Sequence, residues 1–442
     1  MKPSPKRVAP GLPQRSQAAS ACSGCGLVAC VSVFMIRLLL IASLLLQTAS
    51  AQNADLFPVP PNVKGLQVQM IDDALKLGIH HAGVNVNITA LHAAGGEPAK
   101  GIWKWNEGYL RSLDAQIKPL SDAGVLVYLI IIAYPSKDEA INAITLHPGH
   151  RKDLKFSVAA PNTQNGYFAA VMHLLAERWS GAHPESGRAW GWIIGNEANS
   201  HFLWNNMGLV SYEAAASEYE TAVRTAHTAL RSHSRNARVY LSFDHHWAIG
   251  MHNVSAQEAV PGRDFLDHFA RIARERGDID WHVAWHPYPE DLGNPRAWAD
   301  KNVTRDDSSV KATFKNLEVL CQHLEKPALL FQGKSRRVIL SEQGFQTLLN
   351  PEGEKLQAAA YAYAWEKIST LPVIDAFIYH RHVDHAHEGG LRLGLWRNAP
   401  HSVATPHSKK LLYELFRKAG TPEWRAAADE LLPVTGLKAW NE

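Results

Sequence analysis

Apolar runs of strand length alternate with longer stretches of helical period along most of the chain. The clearest runs are Ile79–Val86, Val125–Ala133, Ala189–Gly195, Arg238–Phe243, Ile279–Trp285, Arg337–Leu340 and Ile374–Tyr379. Most are apolar almost throughout and rich in Val, Ile, Trp and Tyr, as parallel strands covered on both faces must be. A weaker strand over Phe156–Ala160 brings the set to eight. Helices are predicted between them. Ser211 can cap one that carries Tyr212, Ala216, Tyr219, Val223 and Ala226 on one face. Phe265, Phe269 and Ile272 mark a second, ending at Gly277, and Phe314, Leu317, Cys321 and Leu324 mark a third. Leu356–Leu371 and Lys409–Phe416 supply two more. Eight strands alternating with helices predict an α/β protein with a (β/α)8 barrel, one large domain over residues 52–442. An open doubly wound sheet is the rival architecture. Neither a G-x-G-x-x-G after the first run, nor a P-loop, nor a G-x-S-x-G elbow is present to support it.

The first 51 residues break this pattern. Met35-Ile36-Arg37 leads into the apolar run Leu38–Leu46, and Ala49-Ser50-Ala51 follows. A positive start, a short apolar segment and an A-x-A site predict a signal peptide cut after Ala51, with Met35 as an alternative start. The run is too short for an ordinary membrane span. Leu27-Val28-Ala29-Cys30 looks like a lipoprotein box, but its apolar segment follows the Cys instead of preceding it. The expectation is a secreted or periplasmic protein with no membrane insertion after cleavage.

That segment changes the charge. The whole chain carries 45 Lys+Arg, 42 Asp+Glu and a net charge of +3. Five basic residues and no acidic one lie in residues 1–51, so residues 52–442 balance 40 basic against 42 acidic. The slight basicity therefore gives no ground for a nucleic-acid partner. Three of the four cysteines leave with the leader, and Cys321 cannot form an internal disulfide alone. A hydrophobic fraction of 46% excludes a disordered or collagenous chain and permits a large core.

Catalytic groups of a barrel project from the C-terminal ends of its strands. The runs stop abruptly in polar residues at those ends: Asn85 and Asn87 after the first, Tyr134 after the second, and Asn196-Glu197 after the fourth. Asp244-His245-His246-Trp247 follows the fifth, His286-Pro287-Tyr288 the sixth, Glu342 the seventh, and His380-Arg381 the eighth. Two glutamates, Glu197 and Glu342, thus face one pocket from opposite sides. Paired carboxylates are what glycoside hydrolysis needs, one protonated to release the leaving oxygen and one ionised to attack.

Asn196-Glu197, His286-Pro287-Tyr288 and Glu342, in that order, resemble clan A of the retaining (β/α)8 glycoside hydrolases, with catalytic glutamates on strands 4 and 7. The runs IIGNEAN and ILSEQGF resemble an uncharacterised glycosidase-like branch of these barrels. The resemblance implies Glu197 as general acid/base, Glu342 as nucleophile, Asn196 on the sugar 2-hydroxyl, Tyr288 donating to Glu342, and His286 shaping the floor. It implies retention, no required metal or cofactor, and a glycan or glycoside as substrate. Two departures stand out. Val125–Pro135 lacks the Arg common near the end of strand 2, for which Arg381 or Arg392 is a substitute, and Tyr379-His380-Arg381 stands where many members have a Trp.

Asp244, Asn85, His380 and Arg381 are candidate substrate contacts, with Asp244 favoured as a support for its neighbours. Trp247, with Trp204, Trp285 and Trp396, is a candidate aromatic platform for sugar faces. The competing carboxylates Glu290, Asp291 and Glu388 lie near the predicted mouth and are assigned to loops. Two alternatives compete. A metal-dependent barrel hydrolase of amidohydrolase type would recruit His245, His286, His380, His382 and Asp384, but the His-x-His expected after the first strand is missing. A non-catalytic sugar-binding barrel would have little reason to keep both glutamates.

Overall fold

Eight parallel strands close into a barrel in the computed structural model, which describes residues 55–154, 158–252 and 254–442. In chain order they are β1 (Lys64–Gln67), β2 (His81–Asn87), β3 (Leu126–Ile132), β4 (Ala189–Ile194), β5 (Arg238–Phe243), β6 (Trp281–Trp285), β7 (Val338–Leu340) and β8 (Ile374–Tyr379). The hydrogen-bonded order β1-β8-β7-β6-β5-β4-β3-β2 returns to β1, and each neighbouring pair is parallel. The (β/α)8 barrel expected from the pattern is the fold, and Phe57–Glu442 forms one compact unit. The leader expected over residues 1–51 lies outside the described residues.

The strands are apolar on both faces because both faces are covered. β3 and β4 are buried at every position. Tyr128, Ile130, Ile132, Ile193, Tyr240, Ala284, Ile339 and Ile378 fill the barrel. The alternate residues Val127, Leu129, Ile131, Trp192, Ile194, Val239 and Leu241 pack outward in the core beneath the helices. The pattern thus predicts the two layers of a barrel.

One expected strand is wrong and one is missing. β1, Lys64-Gly65-Leu66-Gln67, offers a single large apolar side chain and carries no apolar run. A Cβ on Gly65 would stand 2.9 Å from His81 Cβ and 3.0 Å from Ile378, so the crowded inner wall demands glycine there. The weaker strand expected at Phe156–Ala160 is not a barrel strand. Its described part joins neighbours only through isolated bridges from Ala159 to Ala133 and Asn206, and Phe156 lies outside the described residues. The errors cancel in the count, so Glu197 and Glu342 do follow strands 4 and 7. The runs ending in Asn85 and Tyr134 become β2 and β3, and β2 also contains no Arg.

The outer layer comprises α1 (Ile71–Lys76), α2 (Glu107–Asp122), α3 (Tyr167–Trp179), α4 (Tyr212–Arg231), α5 (Gly262–Glu275), α6 (Glu318–His323), α7 (Gly353–Ile368) and α8 (Leu411–Lys418). The Ser211 hydroxyl caps α4 by accepting from Ala214 N at 3.3 Å, and Ala216, Tyr219, Val223 and Ala226 are buried on its inner face. Phe265, Phe269 and Ile272 are buried on α5. Cys321 on α6 is buried, and burial pushes its thiol up to about 12, which leaves it inert as a nucleophile. Among the described residues no helix is long and apolar enough to cross a membrane.

Candidate active site

β4 ends in a turn that aims one carboxyl into the barrel mouth. Gly195 and Glu197 both adopt left-handed backbone angles, with φ of 70° and 41°. For a residue with a side chain this conformation costs about 1–2 kcal/mol, and it persists where surrounding bonds fix it. Here the Glu197 N–H donates to Ser242 Oγ at 3.0 Å, on β5. Tyr219 Oη donates to Ile194 O at 2.6 Å and accepts from Ser242 N at 2.9 Å, which ties α4 to both strand ends.

His286, at the end of β6, places Nδ1 2.9 Å from Glu197 Oε1 and Nε2 3.1 Å from Ser341 Oγ on the β7 side. Both side chains are buried. Burial raises the Glu197 carboxyl to about 7, more than the His286 hydrogen bond lowers it. His286 is itself raised, because its bond to Glu197 and the nearby carboxylates outweigh the effect of burial. Glu342 follows Ser341 and is half-buried, and Tyr288 Oη donates to its Oε1 at 3.3 Å. One carboxylate oxygen each of Glu197 and Glu342 and a ring nitrogen of His286 lie within 4.8 Å of one another. The buried Gln343 amide donates to Ile378 O at 2.8 Å, anchoring this strand end to β8.

These groups open on a cavity of about 780 Å³ lined by Asn85, Asn196, Glu197, Asp244, Tyr288, Glu342, His380 and Arg381. The structure therefore brings together nine of the ten residues expected at the site, with His286 behind Glu197. Asp244 is occupied as a support. Its carboxylate accepts from Asn199 Nδ2 at 2.6 Å, Ser200 Oγ at 2.5 Å and His246 N at 2.8 Å, and lies 3.0 Å from His246 Nδ1. Burial opposes its ionisation, but the His246 contact, the two neighbouring histidines and the Ser200 hydroxyl hold it well below the usual carboxylate range. His380 contacts Gln67 Oε1 at 2.7 Å through Nδ1 and Glu388 Oε1 at 3.0 Å through Nε2. Arg381 also pairs with Glu388, and these contacts hold that carboxylate near 2 although burial would raise it.

Trp247 is a correction. It is fully buried, with its ring edge-on to Trp285 at 5.8 Å and to His323 at 4.9 Å between centroids, so it cannot meet a sugar. Trp285 is equally buried, and Trp396 is tied to Asp73 and Tyr413. Of the four candidate platforms, Trp204 lines the cavity. Arg392 does not line it, leaving Arg381 as the guanidinium of the mouth. Gln67 escapes a reading by strand ends, because β1 is invisible as a run, while Glu388, expected on a loop near the mouth, reaches back from that loop into the lining.

The histidines of the metal alternative are dispersed. His245 Nδ1 lies 3.0 Å from Tyr288 O, His382 Nε2 lies 3.0 Å from Asp73, and Asp384 pairs with Lys410 at 2.7 Å. Among the described residues the one grouping with ligand spacing is Glu197, His286 and Glu342. That set holds neither the His-rich donors nor the strand-1 pair that an amidohydrolase centre needs.

The (β/α)8 barrel is a fold shared with several solved glycoside hydrolases. A family 39 glycoside hydrolase from Bacteroides cellulosilyticus aligns with a TM-score of 0.54 at 14% identity, over 83% of this chain and 66% of its own. A glucosidase from Croceicoccus marinus aligns at 0.51 and 11% identity, over 81% and 67%. Fpglu1 from Fervidobacterium pennivoraus aligns at 0.50 and 12% identity, over 84% of each chain. The chain spans just under two thirds of the length of the family 39 enzyme. No curated protein matches the sequence. Over residues 57–442 the chain belongs to the family described as "Family of unknown function (DUF5722)".

Proposed function

We propose that the chain is an exported retaining glycoside hydrolase with Glu342 as nucleophile and Glu197 as general acid/base. The observation that carries this reading is the approach of the two carboxylates across the barrel mouth, with one oxygen of each within 4.8 Å. Retaining enzymes hold the pair about 5–5.5 Å apart, whereas inverting ones leave about 6.5–9.5 Å for a water. The environments also separate the two groups. Glu197 is buried and holds its proton to about pH 7, while Glu342 is half-buried and accepts from Tyr288 Oη at 3.3 Å.

In the first step Glu342 attacks the anomeric carbon as the glycosidic C–O bond breaks, and Glu197 gives its proton to the departing oxygen. A glycosyl ester and a free alcohol result. In the second step Glu197 takes a proton from water, whose oxygen attacks the anomeric carbon. The ester bond breaks, restoring the Glu342 carboxylate and the Glu197 acid. His286 Nδ1–H donating to Glu197 Oε1 leaves Oε2 to carry the catalytic proton. Asn196 and Asn85 supply amide groups for sugar hydroxyls, Trp204 an apolar face. Beside the protonated Glu197, the lining carboxylates Asp244, Glu342 and Glu388 against one guanidinium, Arg381, favour an uncharged glycoside over an anionic one.

A panel of aryl glycosides and glycans tests the reading. Glu342→Gln should lose nearly all turnover with its fold intact, and near wild-type turnover refutes the assignment. Glu197→Ala should recover activity with azide on a substrate with a good leaving group, giving a glycosyl azide of retained configuration. A non-catalytic sugar-binding barrel would bind sugars in the same panel and turn over none.

A further inference from the structure

The opposite end of the barrel concentrates charge that this reaction does not use. A second cavity, of about 290 Å³, lies at the N-terminal ends of β5 to β7 and is lined by Arg238, Asp280, His282, Lys334 and Arg337, with Arg235 also on its wall. A single carboxylate, Asp375 on β8, serves two guanidiniums. Arg238 Nη1 donates to its Oδ2 at 2.6 Å, and Arg337 Nε donates to both oxygens at 3.1 and 3.0 Å. Arg337 Nη2 is further held by Pro372 O at 2.7 Å, and Arg238 lies over the Phe57 ring at 3.7 Å. Both guanidiniums are fixed in place, and the two carboxylates of this end, Asp280 on the cavity wall and Asp375 between the guanidiniums, are outnumbered by Arg235, Arg238, Lys334 and Arg337.

His282 supplies an independent observation. It is 5% exposed. Its Nδ1 accepts the Arg337 N–H at 3.1 Å, so the neutral ring carries its proton on Nε2. That buried donor has no acceptor within hydrogen-bond distance among the described residues, and Asp280 Oδ1 stands 3.7 Å away. The ring does not gain a second proton: burial, with Arg238, Arg336, Arg231 and Arg337 nearby, holds it far below the usual histidine range. An N–H donor on a fixed ring and two fixed guanidiniums therefore line one space, with Lys334 at its exposed rim. Donors of this kind match the several acceptor oxygens of a tetrahedral anion.

We propose that this cavity binds a small oxyanion, a phosphate or sulfate group, held by Arg238, Arg337 and the His282 Nε2–H, with Lys334 closing the rim. The site is separate from the barrel mouth and stands whether or not the glycosidase reading does. Calorimetric titration of the full chain with sodium phosphate, sodium sulfate and a hexose monophosphate, at constant ionic strength against chloride, tests it. Saturable binding with a Kd of about 1 mM or tighter is expected. It should weaken about tenfold in both His282→Phe and Lys334→Glu, the loss expected for one charge-assisted or buried hydrogen bond. It should be unchanged in Glu342→Gln. Tighter binding of the hexose monophosphate than of phosphate assigns the site to a carried group, and equal binding assigns it to the free anion. Lys334 lies on an exposed turn, so its variant remains readable if His282→Phe does not fold. Absence of saturable binding, binding indifferent to Lys334→Glu, or binding lost in Glu342→Gln overturns the proposal.

Discussion

Glu197→Gln isolates what burial does to the proposed acid. Burial lifts the carboxyl from 4.5 to about 7, against the lowering by the His286 bond. Between those two values the folded protein keeps a proton that the unfolded chain has released. Stability is therefore unaffected below the window and falls as pH rises through it. A difference of about 2.5 pH units at 1.36 kcal/mol each gives about 3 kcal/mol by pH 8, an upper figure because His286 shares the proton. Glutamine keeps the shape, cannot ionise and can still accept from His286 Nδ1. Relative to wild type, the variant should gain about 2–3 kcal/mol between about pH 4 and about pH 8. Urea unfolding followed by tryptophan fluorescence at the two pH values measures this directly. A stability difference that is the same at both, or a variant less stable at the higher pH, refutes a buried proton-holding Glu197. The same variant should lose turnover on substrates whose leaving group needs a proton, so stability and activity move in opposite directions.

His286→Phe removes a bond that lowers the Glu197 value, so the alkaline limb of the kcat/KM profile should move up by about one pH unit or more, the worth of a charge-assisted hydrogen bond. A limb that stays in place or moves down would contradict the assignment of the acid. Trp247→Ala should cost about 3–5 kcal/mol in urea unfolding with little specific change in KM, because the side chain is core. Trp204→Ala should leave stability nearly unchanged and raise KM by about three- to tenfold, since its ring faces the cavity. Asp244→Asn should lower kcat about tenfold or more and destabilise the fold at neutral pH, with the difference fading as acid protonates the wild-type carboxylate; a change confined to KM would instead make it a sugar contact.

Much of the barrel and most of the mouth were legible because β3 to β8 change abruptly from apolar to polar. Asn196-Glu197 after AWGWII and His286-Pro287-Tyr288 after WHVAW could be read as strand ends without any structure. β1 could not. A strand of four that needs Gly65 for close approach and places Gln67 at the mouth keeps one large apolar residue, too few to show a run. Trp247 was misplaced for a related reason. It sits three residues beyond Asp244 in an irregular segment, where neither a period of 2 nor of 3.6 says which way a side chain points. Glu388 is a mixed case: its place on a loop near the mouth could be read from the sequence, but its ion pairs with His380 and Arg381, closed across that loop, leave no trace in the spacing.

The least legible layer is the one that holds Glu197 in its left-handed turn. The conformation is unfavourable for a side-chain-bearing residue, so nothing in a propensity argument anticipates it. It is held from both sides. Ser242 accepts the Glu197 N–H, while Asn199 and Ser200, two and three residues on, are pinned to Asp244, whose own N–H donates to Asn199 Oδ1 at 3.0 Å. Asp244 thus exchanges bonds with the turn in both directions, which makes it a brace between β4 and β5 with no free oxygen to spend on a sugar. A carboxyl that must deliver a proton to one oxygen gains from such a brace. Its rotamer and its burial are then set before substrate arrives, and the same dry, fixed surroundings that raise its pKa also aim it. On this argument the strain at Glu197 and the raised proton affinity are two results of one arrangement, and loosening Asp244 should relax both together.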